Sequence, residues 1–144
     1  MDDATRPRVL DYLRDHVTMT VAAIHHDQPH AVTLFYASSE LDLYFVSDLK
    51  AEHSQAIVAN GRVSVTISQD YADWRAIQGL QLRGLARLPE DAQEARSVYL
   101  AKFPFVADFP PTFRFWHIRT DWLRFIDNTR GFAHKDELTI SPTC

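Results

Sequence analysis

The segment 43–65 constrains the fold most, because it joins two apolar strands through a short helix. The first strand covers 43–47, and a helix is predicted over 49–59. Asn60-Gly61 ends that helix, and a second strand with alternating apolar residues follows. The chain therefore passes from a strand end into a new helix N-terminus within a few residues.

Three side chains at this junction suit an anion. Ser47 at the strand end offers a hydroxyl, and Lys50 and His53 offer potential cations near the predicted helix start. Helix N-termini attract anions through unpaired N–H groups and the helix dipole. Ordinary capping by Ser47 or Asp48, with Lys50 and His53 in solvent, explains the same residues, and short S-x-x-K patterns are common.

Period-two alternation predicts further strands around this unit, and periodicity with turn signals predicts two more helices. The six predicted strands are 17–23, 30–37, 43–47, 63–68, 80–88 and 113–127. Short turns between most of them favour an antiparallel barrel or sandwich over βαβ units. The length fits one domain, 1–144, that is mainly β with peripheral helices.

Element boundaries follow from local signals. Thr5 is the predicted cap of a helix over 6–16, and Pro89-Glu90-Asp91 is predicted to form the first turn of another helix. The sequence also predicts turns at 26–29 and 38–42, and a proline-containing loop over 104–112. The tail after Asp127 is expected to lie outside the core, because it has little apolar content.

Two strands carry apolar residues on both faces. Leu34 and Tyr36 in one strand, and Tyr44 and Val46 in the next, are predicted to face away from the barrel interior. Such strands indicate that something packs outside the barrel, and a second subunit or a flat cofactor are the two candidates.

Composition excludes several function classes. The formal net charge of -4 argues against a general nucleic-acid binder. No apolar run is long enough to span a bilayer, so no membrane role is expected. The acidic N-terminus does not read as a signal peptide, and Cys144 is the single cysteine, which fits a reducing cytoplasm.

No pattern indicates a metal site or a nucleophile. His25, His26 and His30 lie near a turn without ligand spacing, and neighbouring residues of a strand point to opposite faces. There is no G-x-S-x-G motif. We therefore predict no metal and assign no catalytic residue.

The order of elements and several motifs resemble the FMN-binding split barrels of the pyridoxamine 5'-phosphate oxidase-like superfamily, over about 8–127. A short bacterial subgroup is the most similar. The shared motifs are K-x-x-H-x-Q (Lys50, His53, Gln55), I-x-G-x-Q-x-x-G (Ile77, Gly79, Gln81, Gly84) and D-N-T-x-G-F (Asp127 to Phe132). The resemblance implies a six-stranded antiparallel split β-barrel that binds FMN.

The resemblance also implies roles at the helix junction. Ser47, next to Val46 at the strand end, matches the hydroxyl residue that binds the FMN phosphate, and His53 matches the base that closes the phosphate site. Glu52 stands where the family has a second base, and Lys50 is expected to replace the missing charge.

The strand 31–36 matches the one whose backbone lies along the isoalloxazine ring, which assigns Ala31, Val32 and Thr33 to the cofactor. In pyridoxamine-phosphate oxidases this strand begins with Arg and ends with Lys, and both are absent here. That particular activity is therefore not expected.

The family binds its flavin between two subunits, which implies a homodimer in which Gln81, and less directly Gln78, reaches the partner's flavin. The expected function is a flavin-dependent oxidoreductase acting on a small molecule. A non-catalytic flavin-binding or sensing protein is the alternative, as is a split barrel for deazaflavin or haem, with His117 or His134 as the axial ligand.

Overall fold

The computed structural model describes residues 3–106 and 108–140, which form eight β-strands, three α-helices and short 3₁₀ turns. The helices are α1 (Thr5–Asp15), α2 (Glu52–Ala59) and α3 (Gln93–Lys102). The strands are β1 (Thr18–His25), β2 (Gln28–Phe35), β3 (Ala37–Ser39), β4 (Asp42–Asp48), β5 (Arg62–Ser68), β6 (Gln78–Arg87), β7 (Phe113–Asp127) and β8 (Lys135–Thr139). The 3₁₀ turns are Trp74–Ala76, Pro104–Val106 and Asn128–Arg130.

The eight strands belong to one antiparallel sheet, in which seven follow the order β2, β1, β5, β6, β7, β4, β3 and β8 pairs with β7 beside this path. The sheet curls into a half-barrel, which confirms the predicted mainly-β split-barrel architecture. β4 and β8 pair with successive parts of the long strand β7, on the edge opposite β6. That arrangement leaves β2 and β3 at the two ends of the strand order.

Strict alternation in the sequence produces the core. In β5, Val63, Val65 and Ile67 are buried while the residues between them are exposed. β7 carries Trp116 and Ile118 inward in the same way. α1 closes one side of this core through its own buried stripe, which includes Val9, Tyr12 and Leu13.

Two strands were missed in the sequence. Residues 38–42 were expected to be a turn, but Ala37–Ser39 pairs with β4, and only Glu40 has the positive φ of a tight turn. The tail after Asp127 contains β8, which pairs with β7. Pairing with an edge that would otherwise be open stabilises β8 although its sequence has few apolar residues.

The helix starts also differ from the predictions. α1 includes Thr5, with Ala4 at its N-cap, so Thr5 does not cap the helix. Pro89-Glu90-Asp91 precedes α3 instead of forming its first turn. α2 begins at Glu52, so Lys50 lies before that helix and not inside it.

The prediction of outward-facing apolar residues in β2 and β4 is wrong for Leu34 and Tyr36, which face the main core, although Phe35 of β2 is exposed on the other face. It holds for β4, whose outer face is covered by α3. Val46 packs against a small cluster that contains Tyr99 and Phe103. An intramolecular helix thus covers part of the surface that had suggested a subunit or a cofactor.

Among the residues described, the helices are too short or too polar for any of them to cross a membrane.

Candidate functional site

Ser47 and His53 meet at the junction of β4 and α2, with a hydrogen bond between Ser47 Oγ and His53 Nε2. Both side chains are buried. Burial lowers the pKa of His53, and the nearby His30 lowers it further. The pair therefore favours a neutral imidazole and a fixed hydroxyl at the end of β4.

The turn between the two residues presents a helix start without a side-chain cap. Ala51 is the extended N-cap residue of α2, and in the part of the chain that the structure describes no side-chain hydrogen bond caps the helix. The nearby side-chain oxygen Asp48 Oδ1 instead accepts from the backbone N–H of Lys50 at 2.9 Å. Asp48 therefore does not cap α2, and the first N–H groups of the helix stay available to an external acceptor.

Lys50 lies on this turn with an exposed side chain. Within 3–106 and 108–140, its ammonium has no hydrogen bond or ion pair. Lys50, Ser47 and His53 are thus grouped at one helix start, as the sequence predicted, although the expected helical position of Lys50 was wrong.

Glu52, the first residue of α2, contacts two histidines of the β1–β2 hairpin. His25 Nδ1 donates to Glu52 Oε2 at 3.3 Å, and His30 Nδ1 lies 3.2 Å from the same oxygen. The expectation that His25 and His26 point to opposite faces is wrong. Their rings lie 4.1 Å apart, because His26 leaves the strand with a φ of 51°.

The predicted ring-binding residues lie in β2 at one end of the strand order. Ala31 and Thr33 are exposed and Val32 is half-buried. β2 pairs only with β1 among the described strands, so its other edge has free N–H and C=O groups. The contact between His30 and Glu52 brings the start of this strand beside α2.

Gln81 is half-buried in β6, and its Oε1 accepts from Arg124 Nη1 at 3.2 Å. Arg124 in turn binds Glu137 of β8 through its Nε at 2.8 Å. The side-chain amide of Gln81 is therefore held in place, with its NH₂ group still able to donate. Gln78 instead donates to the buried carboxylate of Asp127 at 3.3 Å.

The D-N-T-x-G-F tail is anchored by Asp127, which is fully buried. Its carboxylate forms an ion pair with Arg8 of α1 and accepts from the backbone N–H of Thr129 at 3.0 Å. Asn128 Nδ2 donates to the carbonyl of Trp74 at 2.7 Å, which ties the loop before β6 to the tail. Asp127 and Asn128 of this motif thus bind other parts of the chain.

Neither histidine considered as a haem ligand presents a free ring in a pocket. His117 Nε2 donates to Asp42 Oδ2 at 2.8 Å, and Arg87 Nε lies 3.4 Å from the other ring nitrogen. His134 Nε2 lies 3.3 Å from Asp136 on the exposed tail. In the described residues no group of His, Cys, Asp and Glu side chains is arranged to hold a metal ion.

Sequence reasoning did not assign Ser54, His25 or His30 to this region. Ser54 is fully buried beside His53, and its Oγ has no hydrogen-bond partner in the described residues. The only signal in the sequence was the proximity of two histidines to the hairpin turn. Their contact with Glu52 depends on how the hairpin packs on α2.

Residues 5–127 match the pyridoxamine 5'-phosphate oxidase family. This chain belongs to that family. The UPF0306 protein YhbP of Salmonella schwarzengrund is similar to this chain, with 33% identity over 118 residues that cover 78% of each of the two chains. The relationship confirms the resemblance found in the sequence.

Two solved structures show the family's fold on distant sequences. The haem-binding protein of Mycobacterium smegmatis superimposes with a TM-score of 0.75 at 21% identity, covering 96% of this chain and 59% of that longer protein. An FAD-binding protein of Mesorhizobium loti gives a TM-score of 0.65 at 21% identity, covering 85% and 92%. At this identity the likeness establishes the fold alone.

Proposed function

We propose that this family member is an FMN-binding protein that works as a homodimeric, flavin-dependent oxidoreductase on a small molecule. The observation that carries the proposal is the hydrogen-bonded pair of Ser47 and His53 at the start of α2, which has no side-chain cap, near Lys50, whose ammonium has no partner within 3–106 and 108–140. A phosphate needs several convergent donors, and this junction supplies hydroxyl, imidazole, ammonium and backbone N–H groups.

The donor set fits a phosphate monoester. Lys50 supplies a compact charge, and Ser47 together with the first turn of α2 supplies directional donors. His53 can donate from a ring nitrogen once the phosphate draws the proton to that side. Because His53 is buried, we assign it to the fixed wall of the site and Lys50 to the solvent side.

The open edge of β2 supports a place for the isoalloxazine ring. Ala31, Val32 and Thr33 would face the ring through their backbone, since a flavin edge alternates donors and acceptors as an open strand does. Val46 precedes Ser47 in β4 and its side chain packs on the α3 side, so only its backbone would border the site. Gln81, held by Arg124, would approach the flavin of the second subunit with its free NH₂ group.

Bound FMN would supply the electron or hydride transfer, while the chain binds and orients it and limits access of water. Pyridoxamine-phosphate oxidase activity itself is not proposed. Ala31 and Tyr36 occupy the ends of the strand that carries Arg and Lys in those enzymes, and Tyr36 is buried with its hydroxyl donating to the carbonyl of Leu13 at 2.7 Å.

The absorption spectrum of the purified protein tests the proposal first, because flavin, haem and an empty protein differ in colour. A titration with FMN follows, with dimer mass measured by light scattering. A protein that neither carries nor binds FMN at micromolar concentration would contradict the proposal. Stopped-flow reduction by NADH or NADPH then separates an oxidoreductase from a flavin carrier.

A further inference from the structure

Glu52 is the residue that fits the proposed site least well. As the first residue of α2 it is favourable to the helix dipole, but a carboxylate there repels an incoming phosphate. Its side chain is 54% exposed and lies at the same helix start as Lys50 and His53. The negative charge of Glu52 therefore lies at the same helix start as the proposed phosphate site.

Two histidines from the hairpin contact that carboxylate. His25 reaches Glu52 Oε2 from the end of β1, and His30 reaches the same oxygen from β2. Both use Nδ1, so both ring planes are oriented by one acceptor. The hydrogen bond of His25 and the close approach of His30 hold the carboxylate toward the hairpin.

The remaining charged groups around Glu52 are few. The ring of His26 contacts that of His25 in a tilted arrangement, and His53 follows Glu52 on α2. Lys50 precedes the helix, and Asp48 is bonded to the Lys50 backbone. Among the residues that the structure describes, no charged side chain of β6, which also contacts α2, forms an ion pair with Glu52.

We propose that His25 and His30 are positioning residues of the phosphate site, which draw the Glu52 carboxylate aside and make phosphate binding depend on their protonation. The inference rests on the proposed function. With neutral imidazoles the three side chains are net negative, and with both imidazoles protonated they are net positive. Imidazoles ordinarily change charge between about pH 5 and 8, so the site attracts a phosphate more strongly at the acidic end.

The test measures FMN dissociation constants at pH 6.0 and pH 8.5 by quenching of flavin fluorescence. The proteins are wild type, H25Q/H30Q, E52Q and the triple variant, because glutamine keeps a donor but does not titrate. H134Q is the matched control, since His134 contacts an acid on the distant tail. Riboflavin has the same ring without the phosphate. At a given pH the phosphate of free FMN carries the same charge in every titration. The ratio of dissociation constants between two variants therefore reports the effect of the substitution alone.

We expect H25Q/H30Q to bind FMN about fivefold more weakly than wild type at pH 6.0 and equally at pH 8.5. E52Q should bind about fivefold more tightly than wild type at pH 8.5. At pH 8.5, where the imidazoles are neutral, the histidine substitutions should have no further effect in the E52Q background. Riboflavin affinity, and FMN affinity of H134Q, should stay within about twofold throughout.

Two results would overturn the inference while leaving the proposed function intact. One is normal FMN binding by H25Q/H30Q at both pH values, and the other is an equal change for riboflavin. If wild type bound no FMN at either pH, the proposed function and this inference would both be wrong.

Discussion

Ser47 at the end of β4 and His53 in the first turn of α2 form a buried hydrogen bond across the strand–helix junction. The bond fixes the imidazole against the strand end, so its orientation is set before any ligand arrives. The mobile charge of the site is then Lys50, which lies outside on the turn. His53 is thus held in place while Lys50 is exposed, and the first two predictions concern these two residues.

Replacing Lys50 with Ala should weaken FMN binding about tenfold, because the exposed ammonium is the cation nearest to solvent at the helix start. The melting temperature should not change, since the side chain has no partner in the described residues. Fluorescence titration measures the affinity. K135A is the matched control, because Lys135 is an exposed lysine on β8. A loss of FMN affinity in K135A as large as in K50A would contradict the assignment of Lys50, and K50A/H53A should weaken binding further.

The stability of the protein without cofactor should fall as the pH drops below about 6.5, the ordinary pKa of histidine. The folded state lowers the pKa of His53 through burial and through His30, so the unfolded chain binds more protons in that range. His53 therefore contributes stability above this pH, which is lost on acidification. H53Q should have a smaller difference in melting temperature between pH 7.5 and pH 5.5 than wild type. An equal difference in both proteins would show that His53 does not titrate in this way.

Gly84 should tolerate no side chain. A Cβ at this position would lie 2.2 Å from the backbone oxygen of Arg119, where β6 and β7 shift register. G84A should lower the free energy of unfolding by about 3 kcal/mol or more, because backbone cannot move aside cheaply. Gly79 on the same strand is the control, since its Cβ would meet nothing closer than 3.5 Å. Chemical denaturation of both variants measures the difference, and equal losses would contradict the steric argument.

Asp127 should be essential for stability. Replacing it with Ala leaves Arg8 without its ion-pair partner and removes the acceptor for Thr129 and Gln78. We expect a loss of about 3 kcal/mol, as for other broken buried ion pairs. D11A removes an exposed pair with Arg14 and should cost less than about 0.5 kcal/mol. Urea denaturation compares the two, and a small effect of D127A would contradict the anchoring role.

Most of the sheet follows from local pattern. The alternation in β5 predicted which residues are buried, because a strand with one covered face must place every second side chain inward. The junction of Ser47 and His53 was also predictable, since the two residues are joined by a short strand-to-helix turn. The family resemblance was carried by motifs of the same local kind.

The sequence alone determined the antiparallel β architecture, the family and the grouping of Ser47, Lys50 and His53. Tertiary structure decided the pairing of β8, the contact of Gln81 with Arg124 and the approach of His25 and His30 to Glu52. These contacts join residues far apart in the chain, so they depend on strand register and on how the hairpin packs against α2. Local periodicity reports which face of an element is buried, but not which distant side chain meets it.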